Sequence, residues 1–142
     1  MAMKNLFLLL TTVLVLGTPS VSAQNDAAEP TKMEEVMESH DRVMDKMPMV
    51  SKLISKLQTK ANASYEKMKY ENAIADLKNA NKSMMTWMEN FGKRFTADEM
   101  FKGKKLSAQK KKWLLEEEKK VALLDEEIDL SIAQAKTTLG IE

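Results

Sequence analysis

The sequence predicts an all-α fold, an antiparallel three-helix bundle whose first helix is kinked at Pro48. Three observations carry this. Apolar residues recur at alternating three- and four-residue intervals through three long segments, the spacing that places them on one helix face. No segment has the strict apolar–polar alternation of a half-buried strand. Capping residues, a proline and glycines punctuate the pattern so that helices fall at about 32–60, 65–91 and 108–139.

The first 23 residues stand apart from that fold. Lys4 supplies a positive start, Leu6 to Gly17 is an apolar run, and Val21-Ser22-Ala23 puts small residues at the −3 and −1 positions of a cleavage site. This is a secretory signal with cleavage after Ala23. Twelve residues of helix cover about 18 Å against a hydrocarbon core of ~30 Å, too short to span it. The expectation is an exported, soluble protein, periplasmic or secreted. The chain has no Cys, so neither a disulfide nor a lipidated cysteine is available, and stability has to come from packing. Loss of Lys4 balances the 22 basic residues against the 21 acidic ones. A neutral, exported chain is a poor candidate for nucleic-acid binding, which needs a clustered positive field. Gln24 to Pro30 is a polar lead, expected to be disordered, and 31–142 is one domain with one modest core.

Thr31 opens the first helix. With Glu34 three residues on it forms a capping box, each side chain satisfying the other residue's free backbone N–H. Glu34, Glu35 and Glu38 set negative charge against the positive end of the helix dipole. Apolar positions follow at 33, 36/37, 40, 43/44, 47, 50, 54 and 57. Within this stripe lies the only histidine, His40, with Met33, Met37, Met44 and Met47 at i−7, i−3, i+4 and i+7. At 100° per residue these five side chains share roughly an 80° arc. Pro48 lacks an N–H, so the Met44 carbonyl loses its helical partner and a kink is expected there, or else two collinear helices.

The polar stretch Thr59 to Ser64 breaks the stripe, and a turn is expected near Ala61–Ser64. The second helix should run from about Tyr65 to Phe91, with a stripe of Tyr70, Ala73/Ile74, Leu77, Ala80/Asn81, Met84, Trp87/Met88 and Phe91, and Gly92 as the left-handed residue that ends it. Thr96 and Glu99 can cap one short turn carrying Met100 and Phe101. Ser107 caps the third helix and Gly140 ends it. Its stripe is Lys110, Trp113/Leu114, Glu117, Val121, Leu124, Ile128, Ser131/Ile132, Ala135 and Leu139. Lys110, Lys111 and Lys112 sit in its first turn, the wrong sign for the dipole, which should fray the turn or leave it open to an anion.

If the first two helices fold back about residue 62, His40 faces Met84, Met37 faces Trp87 and Met44 faces Ala80. The lone His, most of the Met and both Trp then gather in one half of the bundle. The pair of motifs Val36-Met37-x-x-His40-Asp41-x-Val43-Met44-x-x-Met47 and Met84-Met85-x-Trp87-Met88 resembles a family of small exported helical proteins of Bacteroidota-type bacteria. Many members are lipoproteins, and some carry the name "viral A-type inclusion protein". The resemblance covers most of the chain after the leader and implies a helical, envelope-located protein; it brings no activity. This chain departs from it in lacking the lipobox cysteine, which favours a soluble form.

Thioether sulfur and imidazole nitrogen suit Cu(I). The candidate ligands are His40, Met37, Met44, Met84 and Met88, with Trp87 as a cover over the cation. The plainer expectation is that the Met side chains are flexible core filler and His40 a buried polar residue, since core and metal site use the same spacing. Asp41 lies about 100° round the helix from His40, where a hydrogen bond to the ring is not expected. Glu117, an acid in the third core stripe, is expected either to serve His40 as a carboxylate or to lie at the open end of the bundle. With one histidine, no Cys and no phosphate-cradling glycine loop, catalysis has no readable constellation. The last candidate surface is the basic run Lys93, Arg94, Lys102, Lys104, Lys105, Lys110, Lys111 and Lys112, net +6 across 93–112 after Asp98 and Glu99. It is expected either to pair with Glu34, Glu35, Glu38 and Asp41 or, with Phe95, Met100 and Phe101, to dock an unidentified envelope protein or an anionic surface. The leading expectation is thus a non-enzymatic, cofactor-free structural or interaction module of the envelope, with a periplasmic Cu(I)-binding or copper-buffering protein as the alternative.

Overall fold

The computed structural model describes residues 31–141, in which every regular element is a helix; the segments expected to be a signal sequence and a polar lead lie outside the described residues. There are five helices: α1 (Lys32–Met44), α2 (Met47–Asn62), α3 (Lys67–Arg94), α4 (Ala97–Phe101) and α5 (Ala108–Leu139). No described helix is long and apolar enough to cross a membrane.

The expected capping chemistry builds the helix starts. The Thr31 N–H donates to Glu34 Oε2 at 2.6 Å while Thr31 Oγ1 accepts from the Glu34 N–H at 3.3 Å. The same box forms at Thr96 and Glu99, and Ser107 Oγ accepts from the Lys110 N–H at 3.2 Å. Gly140 ends α5 at φ 67°, a left-handed conformation that costs a residue with a Cβ.

Two boundaries differ from the sequence reading. The first segment does not kink at Pro48; it stops at Met44 and restarts at Met47. Pro48 sits in the first turn of α2, where a missing N–H leaves no hydrogen bond unmade. The break falls upstream because Pro48 has no N–H for the Met44 carbonyl four residues back and its ring crowds that carbonyl. The second correction is Gly92, which does not end a helix. α3 runs through it to Arg94, because Trp87, Phe91 and Phe95 are all buried at four-residue spacing and one continuous helical path places the three rings together.

Direction follows from the cross-links. Lys32 reaches Glu118 and Lys46 reaches Asp125 and Asp129, so α1 runs parallel to α5. Ser83 meets Glu127 and Arg94 meets Glu116, so α3 runs antiparallel to α5. α3 packs along both α2 and α5, and α1 lies mainly on α5. The core is one cluster. α1 and α2 give Met33, Val36, Val43, Val50, Leu53 and Leu57; α3 gives Ile74, Leu77, Met84, Trp87 and Phe91; α5 gives Leu114, Val121, Leu124 and Ile128. On α1 the centre of the buried face is Val36 and Val43, about 70° round from the middle of the Met–His stripe. His40 therefore sits at the edge of the core and not in it.

Candidate functional site

His40 lies against α3. Its ring stacks on Trp87, centroids 5.7 Å apart with 24° between planes. Trp87 continues onto Phe91 at 4.9 Å and Phe91 onto Phe95 at 4.7 Å. These separations are those of favourable offset and tilted aromatic pairs. The ladder links α1 to the far end of α3. Its register differs from the expected one: α2 ends at Asn62 and α3 starts at Lys67, which moves the pivot toward the C-terminus and sets His40 opposite Trp87 rather than Met84. Phe95 is its last rung, buried, and so is not part of any docking surface.

His40 Nδ1 is 3.1 Å from Asp41 Oδ1. The expectation that Asp41 lies too far round the helix is corrected: its exposed side chain is free to swing back along the surface to the ring. This contact holds the imidazole orientation and leaves Nε2 as its other polar atom. The methionine candidates are spread over unlike environments. Met84 is buried in the core, Met37 and Met88 are half-buried against it, and Met44 is 44% exposed.

Glu117 serves α3 instead of His40. Its side chain is fully buried, and Oε1 receives Arg94 Nη1 at 2.9 Å and Lys120 Nζ at 2.9 Å. Arg94 also bonds Glu116 Oε2 at 2.8 Å and lies 5.3 Å over the Trp113 ring. Glu117 Oε2 and Trp87 Nε1 are buried without a hydrogen-bond partner among the described residues.

The basic run is compensated locally, not by the start of α1. Lys93 pairs with Glu89, Arg94 with Glu116 and Glu117, Lys102 with Asp98, and Lys110 with Glu99 at 2.6 Å. The last pair answers the dipole conflict at the start of α5: Lys110 has a carboxylate beside it, donated by α4. Glu99 is buried, and the Lys110 ammonium, followed by the Thr96 backbone N–H, holds it down to about 2. Lys104, Lys105, Lys111 and Lys112 have no ion pair among the described residues.

Three of those four lysines border a groove that the periodicity could not reveal, because it forms between elements distant in sequence. A cavity of about 850 Å³ lies between α1, α4, the 102–106 loop and the start of α5. Met33, Met37, Met100, Leu106 and Leu114 line it, with Phe101 and Leu115 exposed at its edge. Lys104, Lys105 and Lys111 are contributed from the loop and α5, and Glu34, Glu38 and Asp41 from α1. The size is that of a ligand- or peptide-binding groove. Gly103, at φ 66°, turns the loop that carries the lysines. The chain matches no protein-family model, no curated protein and no solved structure.

Proposed function

We propose that this is a non-enzymatic, exported protein that acts as an interaction module of the envelope. Its five helices are read as an up-down-up three-helix bundle whose first arm is the α1–α2 pair. The observation that carries the reading is the apolar groove with lysines from one side and carboxylates from the other. Such a groove suits an amphipathic helix of a partner protein: apolar contacts supply affinity, and rims of opposite sign fix its direction. The side meeting Lys104, Lys105 and Lys111 would be acidic, the side meeting Glu38 and Asp41 basic. Family resemblance in the two Met motifs supports envelope residence.

A photo-crosslinking residue in place of Phe101 tests this in the native cell. The expected result is one discrete envelope-protein adduct, absent when the probe replaces Tyr65 at the opposite end. Binding of that purified partner should then weaken at least about tenfold when Lys104 and Lys105 are both changed to Glu. Equal adducts from both positions, or binding indifferent to the lysines, would refute it. Salt-sensitive attachment to anionic vesicles with no protein adduct would assign the groove to a lipid surface instead.

A second reading, Cu(I) binding, is favoured by the orientation of His40: a carboxylate on one ring nitrogen is how metal-ligating imidazoles are commonly held. Met37 on α1 and Met84 and Met88 on α3 would supply sulfur, with Trp87 covering the cation. Titration with Cu(I) against a competing chelator decides it. Binding should weaken in His40→Ala and Met84→Ala but not in Met68→Ala; affinity no tighter than micromolar removes the reading.

A further inference from the structure

The outer face of α5 carries a pattern that the core does not use and that meets the groove only at Leu115. Leu115, Leu123 and Leu130 are 50%, 65% and 64% exposed. At 100° per residue they fall, with Lys119, Ala122 and Glu126, in an arc of about 100° centred on the side opposite Val121, Leu124 and Ile128. Three large apolar side chains aligned along one solvent-facing helix face form an interaction stripe rather than scattered surface leucines.

The order of residues in that stripe is self-complementary. Reversing α5 about the point between Ala122 and Leu123 places Leu115 opposite Leu130 and Lys119 opposite Glu126. Leu123 falls beside the dyad, next to its own symmetry mate. Lys119 and Glu126 have no ion pair within the chain among the described residues, so both are free to pair across such a seam. A parallel arrangement would set Lys119 against Lys119 and Glu126 against Glu126, so charge selects the antiparallel one. The same reversal brings Glu116 near Asp129 at the edge of the seam, but each is already neutralised inside its own chain, by Arg94 and Lys46.

We propose that this face binds a second copy of the chain, as an isologous two-fold dimer with antiparallel α5 helices in which Leu115 packs on the partner's Leu130 and Lys119 pairs with the partner's Glu126. A two-fold interface demands that one patch fit itself, which this sequence of residues does. Only Leu115 is shared with the edge of the groove; Lys119, Leu123 and Glu126 lie outside it, so changes at those three test the dimer without touching partner docking.

Sedimentation equilibrium of the purified protein over a concentration series should show a reversible monomer–dimer equilibrium. Lys119→Glu and Glu126→Lys should each weaken association about tenfold or more, and the two together should restore it, because the exchanged charges meet again across the dyad. Both positions are exposed and mid-helix, and unchanged circular dichroism will show that folding is intact. Since the chain has no Cys, single cysteines report register without background. Leu123→Cys should form a disulfide-linked dimer on mild oxidation. Leu115→Cys should not, its symmetry mate lying 15 residues along the helix axis, about 22 Å away. A protein monomeric at all concentrations, a double reversal no better than either single one, or self-crosslinking through Leu115→Cys would each overturn the proposal.

Discussion

The two ends of the Arg94–Glu117 ion pair should respond unequally to mutation. Glu117 is fully buried, whereas Arg94 is 30% exposed and Lys120 51% exposed. Arg94→Ala removes the less exposed of the two cations at Glu117 and the stack on Trp113, and leaves a buried carboxylate with one half-solvated lysine. Removing one partner of a buried pair costs about 3–5 kcal/mol in full burial. Solvent access at Arg94 and the remaining Lys120 reduce this to roughly 2 kcal/mol. Glu117→Leu removes instead the buried charge and its unpartnered Oε2, an oxygen whose desolvation alone costs about 1–3 kcal/mol. Arg94 keeps Glu116 and its water. Apolar replacements of buried ionic groups are commonly neutral or stabilising, so Glu117→Leu should change stability by under about 1 kcal/mol in either direction or raise it. Urea unfolding followed by circular dichroism measures both. Marked destabilisation by Glu117→Leu together with a neutral Arg94→Ala would show that the carboxylate makes a contact other than these ion pairs, and the reasoning would fail.

Four further outcomes follow from single positions. Gly92→Ala should stabilise by about 0.5–1 kcal/mol in thermal or urea unfolding, since Gly92 lies inside α3 with open space where a Cβ would go. Gly103→Ala should instead cost about 1–2 kcal/mol, because its φ of 66° is strained for any residue with a Cβ. Glu99 has its folded-state pKa lowered to about 2 from 4.5, so its stabilisation is present above pH 4.5 and lost as pH falls through that window. The acid limb of a pH-unfolding curve should therefore shift in Glu99→Gln and lose slope between those values. Phe91→Ala, at the middle of the aromatic ladder, should cost about 3–5 kcal/mol, while His40→Leu at its α1 end should hold or raise the melting temperature.

The helices were legible wherever one periodic face decided the outcome. On α3 and α5 the buried residues are those the stripe names, Glu117 and Ser131 included, because a long helix with a single apolar face has one way to turn inward. The capping boxes were equally readable, being local chemistry within four residues. On α1 the stripe is wide enough to permit several rotations, and packing chose Val36 and Val43, which are compact and branched, over the longer Met and His side chains that can lie along the core's rim. Gly92 misled because a glycine permits a helix end without requiring one, and the buried rings at Phe91 and Phe95 settled the matter by tertiary contact. The Arg94–Glu117 pair and the groove were beyond reach of periodicity for the same reason: each joins residues whose sequence separation reports nothing of their spatial distance.

The charges that break the rules of a simple bundle are concentrated at one end. Glu117 is buried in a core stripe, Glu99 is buried in a five-residue helix, and three lysines occupy the first turn of α5 against its dipole. An apolar residue at 117 and an acid at 110 would satisfy helix and core better. Taken together, however, the three departures have one geometric result. Glu99 draws Lys110 toward α4, which fixes α4 against the start of α5. Glu117 draws Arg94 over Trp113, which fixes the end of α3 to the same turn. The 102–106 loop is thereby held at both of its ends, and Lys104 and Lys105 are presented beside an apolar floor while Lys110 and Arg94 are spent on holding them there. The opposite end, where α2 meets α3 through Leu53, Leu57, Ile74 and Leu77, has an aliphatic core without a buried charge among the described residues. Local rule-breaking confined to one end of an otherwise consistent fold is the pattern expected where a surface is shaped for binding, and here it frames the groove.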